Sequence, residues 1–326
     1  MAAVLACSGI FGSLQAQVPA RSFVPARWAI TNPVPGRLDS PLLMPGPMAA
    51  SETTVYIYDY GDARLKAFDL MSGELRWALG RRGEGPGEFA NPTDVRLDDR
   101  GQIWILDPPN QRINRVGEDG RFVSSLRVNE ALFRLGPIVD GQITVVRDDP
   151  ASGFACRLDQ DGNRVSDIAV PPWTATVPAL AASVWVAVDP KTSGWVAVFP
   201  YTGRILLSSG AIDLKEVVGV VATGEDPKVI TSSPRSGWTV RRLDPEAKMV
   251  ALSVALSPTE VWVLGRSKDG GRVVDRYDRT SASYVGSWRL PLPLDKITAA
   301  GRRMVGIQRD SLPALFVLDP GPAHER

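Results

Sequence analysis

Between residues 80 and 128 the chain contains four short runs of β-forming residues separated by three compact turns. The runs are rich in Val, Ile and Trp and the turns contain Gly, Pro, Asn or Asp, a pattern that indicates antiparallel strands joined by tight turns. The predicted strands are 93–98, 102–107, 112–117 and 122–128. Four strands in series form a meander, and such a sheet cannot bury both of its faces alone. Copies of it must therefore stack against one another.

The same rhythm recurs along the chain roughly every 50 residues, which is typical of propeller blades. The second strands of six units are predicted to end at Asp59, Asp107, Arg147, Phe199, Gly265 and Arg309. The sixth unit lacks a fourth strand, whereas the run 22–30 has no partners. We therefore predict an all-β, six-bladed β-propeller of four-stranded antiparallel blades, with the N-terminal strand closing the ring beside the last blade. A seventh blade between residues 224 and 248 is the alternative.

Composition limits the classes of partner. A hydrophobic content of 44% and a charged content of 22% are ordinary for a globular protein and argue against a disordered or membrane-spanning chain. The formal net charge of +1 provides no general attraction to nucleic acid or to an anionic membrane. We therefore expect a monomer that neither spans a membrane nor binds nucleic acid.

The N-terminal residues indicate export. Residues 2–14 are small and apolar, and Leu14-Gln15-Ala16 resembles the site that precedes signal cleavage, although no Lys or Arg precedes the apolar run. We expect residues 1–16 to be a signal peptide, 22–320 the propeller domain and 321–326 a C-terminal tail, in a secreted or periplasmic protein. Cys7 leaves lipoprotein anchoring as an alternative. Cys156 lies in a strand-like run, where a small buried hydrophobe is expected.

The stretch 80–122 resembles an NHL-type repeat. The resemblance rests on Gly87-Glu88-Phe89, Asn91-Pro92, Gly101 and the run from Asp107 to Ile113. It is good in this unit and partial in the first, which keeps Asp59 and Arg64 but has no Asn. The whole chain resembles the six-bladed propellers that bacteria export. The resemblance implies a binding platform for protein, peptide or RNA, but related six-bladed folds include lyases and lactonases, so the fold alone does not determine the function.

Strand order assigns the loops to two faces. In a meander, the loop between the second and third strands emerges on the same side as the connection between blades, and the two remaining turns emerge on the opposite side. The first side carries the long stretches 80–92 and 225–248, the second of which is expected to be irregular. We call it the long-loop face and the other the short-turn face. Long loops on a rigid scaffold commonly carry recognition, so the predicted site is on the long-loop face.

The long-loop face is rich in Arg and also carries aromatic residues. Arg offers a planar fork for carboxylate or phosphate, and an aromatic ring adds a stacking surface. We therefore predict that a small anionic ligand or a protein partner binds over the channel mouth. The predicted ligand-binding residues are Arg81, Arg82, Asn110, Arg112, Tyr201, Arg235, Trp238 and Arg241. The alternatives are solvated loop charges and, for Asn110 and Arg112 together with Asp107, a structural role in the repeat.

The histidine count argues against several enzyme classes. His324 is the only histidine and lies in the terminal tail, which disfavours a His-ligated zinc site, a Ser-His-Asp triad and a His general base. Calcium needs only oxygen ligands, and the weak candidates are Asp59, Asp107 and Asp148. We expect no catalytic residue and no cofactor, and hence a non-catalytic binding or scaffold module. A calcium-dependent lactonase-like or lyase-like enzyme is the alternative.

Overall fold

The computed structural model of the protein describes residues 20–128, 132–147, 153–181, 183–210, 214–217, 224, 227–232, 240–267, 270–309 and 312–321. The predicted signal peptide, most of the predicted tail and Asp148, Arg235 and Trp238 lie outside these residues. Within the described residues no helix is long and apolar enough to cross a membrane.

Six antiparallel sheets of four strands each, the blades, surround a central channel. The first strand of the chain, β1 (Ala29–Val34), belongs to the last blade. Blade I contains β2 (Pro45–Ala50), β3 (Thr54–Asp59), β4 (Arg64–Asp69) and β5 (Leu75–Leu79). Blade II contains β6 (Asp94–Leu97), β7 (Ile103–Asp107), β8 (Arg112–Val116) and β9 (Phe122–Arg127). Blade III contains β10 (Leu132–Val139), β11 (Gln142–Arg147), β12 (Ala155–Leu158) and β13 (Arg164–Asp167).

The second half of the ring has the same order of strands. Blade IV contains β14 (Trp185–Val188), β15 (Trp195–Val198), β16 (Ile205–Ser208) and β17 (Lys215–Glu216). A separate hairpin, β18 (Val229–Ser232) and β19 (Val240–Leu243), follows. Blade V contains β20 (Ala251–Leu256), β21 (Glu260–Ser267), β22 (Gly270–Asp278) and β23 (Tyr284–Leu294), and blade VI contains β24 (Lys296–Ala300), β25 (Arg303–Gln308), β26 (Ala314–Asp319) and β1. Short 3-10 helices span Pro108–Asn110, Pro172–Thr176 and Ala179–Ala181.

The six-bladed prediction is confirmed, and the stretch between residues 224 and 248 is not a seventh blade. Its described residues contain the two-stranded hairpin β18–β19 rather than the irregular chain expected there. The first strands of the blades, β2, β6, β10, β14, β20 and β24, contact one another in sequence around the channel.

The N-terminal strand closes the ring as predicted, but it begins later in the chain. β1 pairs antiparallel with β26, with Ile30 opposite Leu318, whereas the strand was expected over residues 22–30. Pro25 lies within that run, and a proline cannot donate to a strand ladder. The preceding residues contact blade V instead, where the backbone N–H of Val24 donates to the carbonyl of Ser287 at 2.9 Å. The N-terminal segment therefore joins the last two blades.

Apolar side chains fill all six interfaces between blades. The cluster between blades I and II includes Tyr58, Leu65 and Ile105, and the cluster between blades III and IV includes Phe154 and Trp195. Burying one large apolar side chain contributes about 1.5–3 kcal/mol, so each blade depends on its neighbours for most of its stability. Cys156 is fully buried in the cluster between blades II and III, in agreement with its expected packing role.

Candidate functional site

Asp107, at the end of the second strand of blade II, is fully buried and binds the backbone. Its carboxylate accepts hydrogen bonds from the N–H groups of Ala90 at 2.9 Å and Asn91 at 3.0 Å, where the chain enters the blade. The Nδ2 of Asn110 donates to the same carboxylate at 2.9 Å. Asp107 and Asn110 therefore hold the first strand of the blade against the second.

Asp59 has the equivalent position and contacts in blade I. Its carboxylate accepts from the N–H groups of Leu43 and Met44, both at 2.7 Å, and from Lys66 Nζ at 2.9 Å. Burial raises the pKa of Asp59, but the hydrogen bonds from Leu43, Lys66 and Met44 outweigh burial and keep this pKa below its usual value. The carboxylates of Asp59 and Asp107 are thus already occupied by donors of the fold. Among the described residues no group of three or more His, Cys, Asp or Glu side chains is arranged to hold a metal ion.

Arg112 and Asn110 organise the glycine-rich loop that precedes blade II. The guanidinium of Arg112 donates to the carbonyls of Glu84 at 2.7 Å and Glu88 at 2.8 Å, and Asn110 donates to the carbonyl of Gly83 at 3.0 Å. These contacts agree with the alternative that Asn110 and Arg112 have a structural role in the repeat. The ligand-binding role predicted for them stays a prediction.

The remaining predicted site residues are spread over the long-loop face. Arg81 forms an ion pair with Glu88 at 2.6 Å, and Arg82 is exposed beside it. Tyr201 belongs to a loop of blade IV and is half-buried against the core between blades III and IV. Arg241 is exposed on the hairpin strand β19. The structure therefore brings Arg81, Arg82, Asn110 and Arg112 together, while Tyr201 and Arg241 belong to other parts of the ring.

A cavity of about 480 Å³ occupies the central channel and opens on the short-turn face, opposite the predicted site. Its rim consists mainly of turns between first and second strands, including residues 51–53, 98–101 and 189–191, together with Glu118 from the turn between β8 and β9. Its wall consists of the first strands, and its base lies at the starts of those strands. This volume is within the range of about 300–1,000 Å³ that small-molecule sites occupy.

The base of the cavity contains three basic side chains and one carboxylate. Asp94 forms an ion pair with Arg96, with Oδ1 at 2.8 Å from Nη1, and its other oxygen accepts from the N–H of Leu135 at 2.9 Å. Arg96 crosses the channel and donates from Nη2 to the carbonyl of Val186 in blade IV at 2.7 Å. Both side chains are almost fully buried, and the burial of Arg96 lowers its pKa. We call Asp94, Arg96, Arg134 and Lys296 the base cluster.

Lys296 and Arg134 complete the base cluster from two other blades. Lys296 Nζ donates to the carbonyl of Gly46 at 2.9 Å, and the guanidinium of Arg134 stacks against Phe133 at 3.9 Å from the ring centroid. Burial, followed by repulsion from Arg309 and Arg134, lowers the pKa of Lys296 to about 7. Arg134 also donates to the carbonyls of Thr93 at 3.2 Å and Phe133 at 2.9 Å.

The rim of the cavity has the opposite charge. Among the described residues, four turns contribute carboxylates to the rim, and Lys191 contributes an ammonium group. The carboxylates are those of Glu52, Asp98, Asp99, Glu118 and Asp189. Lys191 Nζ lies 2.8 Å from Oε1 of Glu52, and because these residues belong to blades IV and I, their ion pair spans the mouth of the channel. Lys191 lowers the pKa of Glu52 through this hydrogen bond and charge. We call the pair the mouth ion pair.

The sequence does contain an indication of the base cluster, namely charged residues within the first strands of blades. Arg96, Arg134 and Lys296 each lie in the first strand of a blade, which is covered on both faces and should be apolar. A charged residue in such a strand must face the channel, because only there can it avoid the apolar interface. The prediction from loop length therefore missed the residues that line the cavity.

Comparisons with known proteins agree with the fold. No protein-family model matches the chain. Human NHL repeat-containing protein 3 is 30% identical over 125 residues, which cover 36% of this chain and 33% of that protein, so the chain spans about a third of the length of this curated relative. An exported protein of Bacteroides fragilis superposes on this chain with a TM-score of 0.59 at 11% sequence identity. The superposition covers 90% of this chain and 94% of that protein. Virginiamycin B lyase of Staphylococcus aureus superposes with a TM-score of 0.52 at 11% sequence identity, over 90% of this chain and 99% of the lyase.

These observations define a six-bladed β-propeller with a charged central cavity. The sequence match and the fold together confirm its resemblance to the NHL-like propellers. The two structural neighbours share the fold, and at 11% identity they carry no information about the ligand.

Proposed function

We propose that the protein is an exported, non-catalytic binding module that takes a small anionic ligand in its central channel. The observation that carries the proposal is the base cluster, in which Arg96, Arg134 and Lys296 lie together at the base of a cavity of about 480 Å³ and Asp94 pairs with Arg96. Export to the periplasm or out of the cell is supported by the N-terminal sequence and by the exported neighbour from Bacteroides fragilis.

The energetics favour an anion at the base. Burial is the largest cause of the lowered pKa of Lys296, and repulsion from Arg309 and Arg134 lowers it further, so a negative charge nearby would be favourable. An anion placed between Arg134 and Lys296 would offset this repulsion and accept charge-assisted hydrogen bonds in a site of low dielectric constant. Perturbed groups of this kind are retained where they serve a function, since an apolar side chain would be more stable.

A lyase or lactonase reaction is less well supported than binding. One structural neighbour is a lyase, but the single histidine of this chain, His324, lies in the C-terminal tail. The carboxylates of Asp59 and Asp107 accept hydrogen bonds from the backbone and would have to give these up to bind calcium. The expectation of no cofactor stays a prediction, which a drop in melting temperature on addition of EDTA would contradict.

Anion binding can be tested by calorimetry and thermal shift with acetate, succinate and inorganic phosphate. We expect at least one of these to bind the wild-type protein and raise its melting temperature, and Lys296→Met or Arg134→Met to abolish both effects. Arg115→Met is the matched control, because Arg115 lines a separate groove between blades II and III and stacks over Trp104 at 5.6 Å. No response to any of the three anions, or equal losses in the Arg115 control, would contradict the proposal.

The long-loop face remains a predicted second surface for a protein partner. Its test is the double variant Arg81→Ala with Arg112→Ala, measured against a partner captured by the wild-type protein. Unchanged capture would end that prediction without affecting the channel site, since neither residue lines the cavity.

A further inference from the structure

The charges of the cavity are sorted along its axis. Basic groups dominate the base, where Arg134 and Lys296 face the cavity, and carboxylates dominate the rim, where Asp99 and Glu118 are exposed. Asp98 and Asp189 are already engaged, Asp98 by the indole N–H of Trp104 at 2.9 Å and Asp189 by Arg279. A ligand that matches this arrangement carries a negative charge at its inner end and a positive charge at its outer end.

The wall between the two charged ends is mainly apolar. It consists of small and aliphatic side chains on the first strands of four blades, such as Ala50, Val188, Leu256 and Ala299. These side chains offer dispersion contacts and no strong hydrogen-bonding groups. The middle of the ligand is therefore expected to be apolar and slender.

The length of the cavity follows from the strand that lines it. Asp94 lies at the base and Asp98 at the rim, four residues further along β6 and its turn. A strand rises about 3.3 Å per residue, so the two levels are about 13 Å apart. An extended peptide of four residues spans about the same distance.

We propose that the ligand is a short linear peptide of about four apolar residues, bound with its C-terminal carboxylate at the base cluster and its N-terminal ammonium at the acidic rim. This inference rests on the proposed function, because it requires an anionic group to bind at the base. The guanidinium of Arg134 and the ammonium of Lys296 hold the carboxylate, and Asp99 and Glu118 attract the ammonium. The mouth ion pair must separate to admit the peptide, and an exposed pair of this kind costs little to break.

The inference can be tested with four ligands of matched size: the peptide Ala-Val-Val-Ala, its C-terminal amide, its N-acetylated form, and decanoate. We expect the amide to bind about 30-fold more weakly than the free peptide, because it loses charge-assisted hydrogen bonds at the base. We expect acetylation to weaken binding about 5-fold, because ion pairs at an exposed rim are worth less. Lys296→Met should remove most of the difference between acid and amide, and Asp99→Asn combined with Glu118→Gln should remove the difference between free and acetylated peptide.

The outcomes separate this inference from the proposed function. If acetate or succinate binds in a Lys296-dependent manner while the peptide binds no better than acetate, the peptide inference is wrong and the anion site stands. If decanoate binds as tightly as the free peptide and acetylation has no effect, the ligand is an amphiphilic carboxylate and the peptide inference is again wrong. If none of the anions or peptides binds, both proposals fail.

Discussion

The carboxylates at the strand ends and the base cluster of the channel are both charged groups inside the ring, yet they differ in their partners and in their access to the cavity. Asp59 and Asp107 each accept hydrogen bonds from two backbone N–H groups where the chain enters a blade. In the base cluster, Asp94 forms an ion pair with Arg96, whereas Lys296 and Arg134 donate to backbone carbonyls and also line the cavity. A buried carboxylate that accepts several hydrogen bonds stabilises the fold, whereas neighbouring basic groups that line a cavity repel one another and are the basis of the binding role that we propose.

The two sets also differ in how they relate to the repeat. Asp59 and Asp107 occupy equivalent strand ends in blades I and II and make equivalent contacts. The basic residues of the base cluster come from blades II, III and VI, and Arg96 donates to Val186 of blade IV as well as to Leu135 of blade III. The features shared by the blades are thus architectural, and the cavity is built from features that the blades do not share.

The largest effect is expected from removing a satisfied carboxylate. Asp107→Ala leaves the N–H groups of Ala90 and Asn91 without their acceptor and removes one of the two hydrogen bonds that the amide of Asn110 donates. We expect a loss of about 3–4 kcal/mol in the free energy of unfolding, since each buried unsatisfied group costs about 1–3 kcal/mol. Urea unfolding would measure it.

Asp119→Ala is the control, because Asp119 is exposed in a turn of the same blade and pairs loosely with Arg121 at 3.4 Å. It should leave the urea midpoint unchanged. Equal urea midpoints for the Asp107 and Asp119 variants would show that the hydrogen bonds of the buried carboxylate do not stabilise the fold.

The N-terminal segment provides a third satisfied carboxylate. Asp275 of blade V is buried and accepts from Arg21 Nε at 2.8 Å and Nη2 at 2.9 Å, and from Ser287 Oγ at 2.6 Å. Arg21→Ala removes the cation and leaves the carboxylate to Ser287 alone. We expect a loss of about 2–3 kcal/mol, which is below the value for a fully buried pair because Arg21 is partly exposed.

Arg27→Ala tests the same segment without touching Asp275, because Arg27 is exposed. Its melting temperature should match that of the wild type. If the Arg21 variant also unfolds at the wild-type temperature, the segment does not stabilise blade V.

Removing a positive charge from the base cluster should raise the free energy of unfolding instead of lowering it. Lys296→Met removes a charge whose pKa is lowered from 10.5 to about 7 by burial and by Arg309, Arg134 and Arg96, against the opposing effect of Asp94. We expect the ligand-free protein to gain about 2 kcal/mol at pH 6, less than the whole shift corresponds to, because the hydrogen bond to the Gly46 carbonyl is lost.

The gain should depend on pH in a defined direction. Below about pH 7 Lys296 is charged in both the folded and the unfolded protein, so its full cost is present. As the pH rises from 7 to 10.5, the unfolded state binds more protons than the folded state, and the wild type becomes relatively more stable. The difference between the two proteins should therefore shrink over this range. If Lys296→Met is less stable than the wild type at pH 6, then the charge of Lys296 stabilises the fold, as the carboxylates of Asp59 and Asp107 do.

The fold could be predicted from the sequence because each turn contains its own signal. Gly, Pro, Asn and Asp separate the β-forming runs, and the predicted strands 102–107 and 112–117 agree with β7 and β8 to within one residue. The predicted start of β1 was wrong because the sequence alone did not show that the residues before Pro25 bond to blade V rather than to β26. The cavity was missed because Arg134 and Lys296 are far apart in the sequence and meet only through ring closure, and loop length favoured the opposite face.

The smallest effect on stability, and the most direct test of the route into the channel, concerns the mouth ion pair. Glu52→Gln removes an exposed charge 2.8 Å from Lys191 Nζ, so we expect a change in melting temperature within about 1 °C. Because the pair spans the mouth, its loss should speed anion association about 2-fold at low ionic strength, and salt should reduce the difference. Stopped-flow binding would measure both rates, with Glu74→Gln, an exposed carboxylate of the same blade outside the cavity, as the control. Equal rates in the two variants would show that the ligand reaches the base cluster without passing between Glu52 and Lys191.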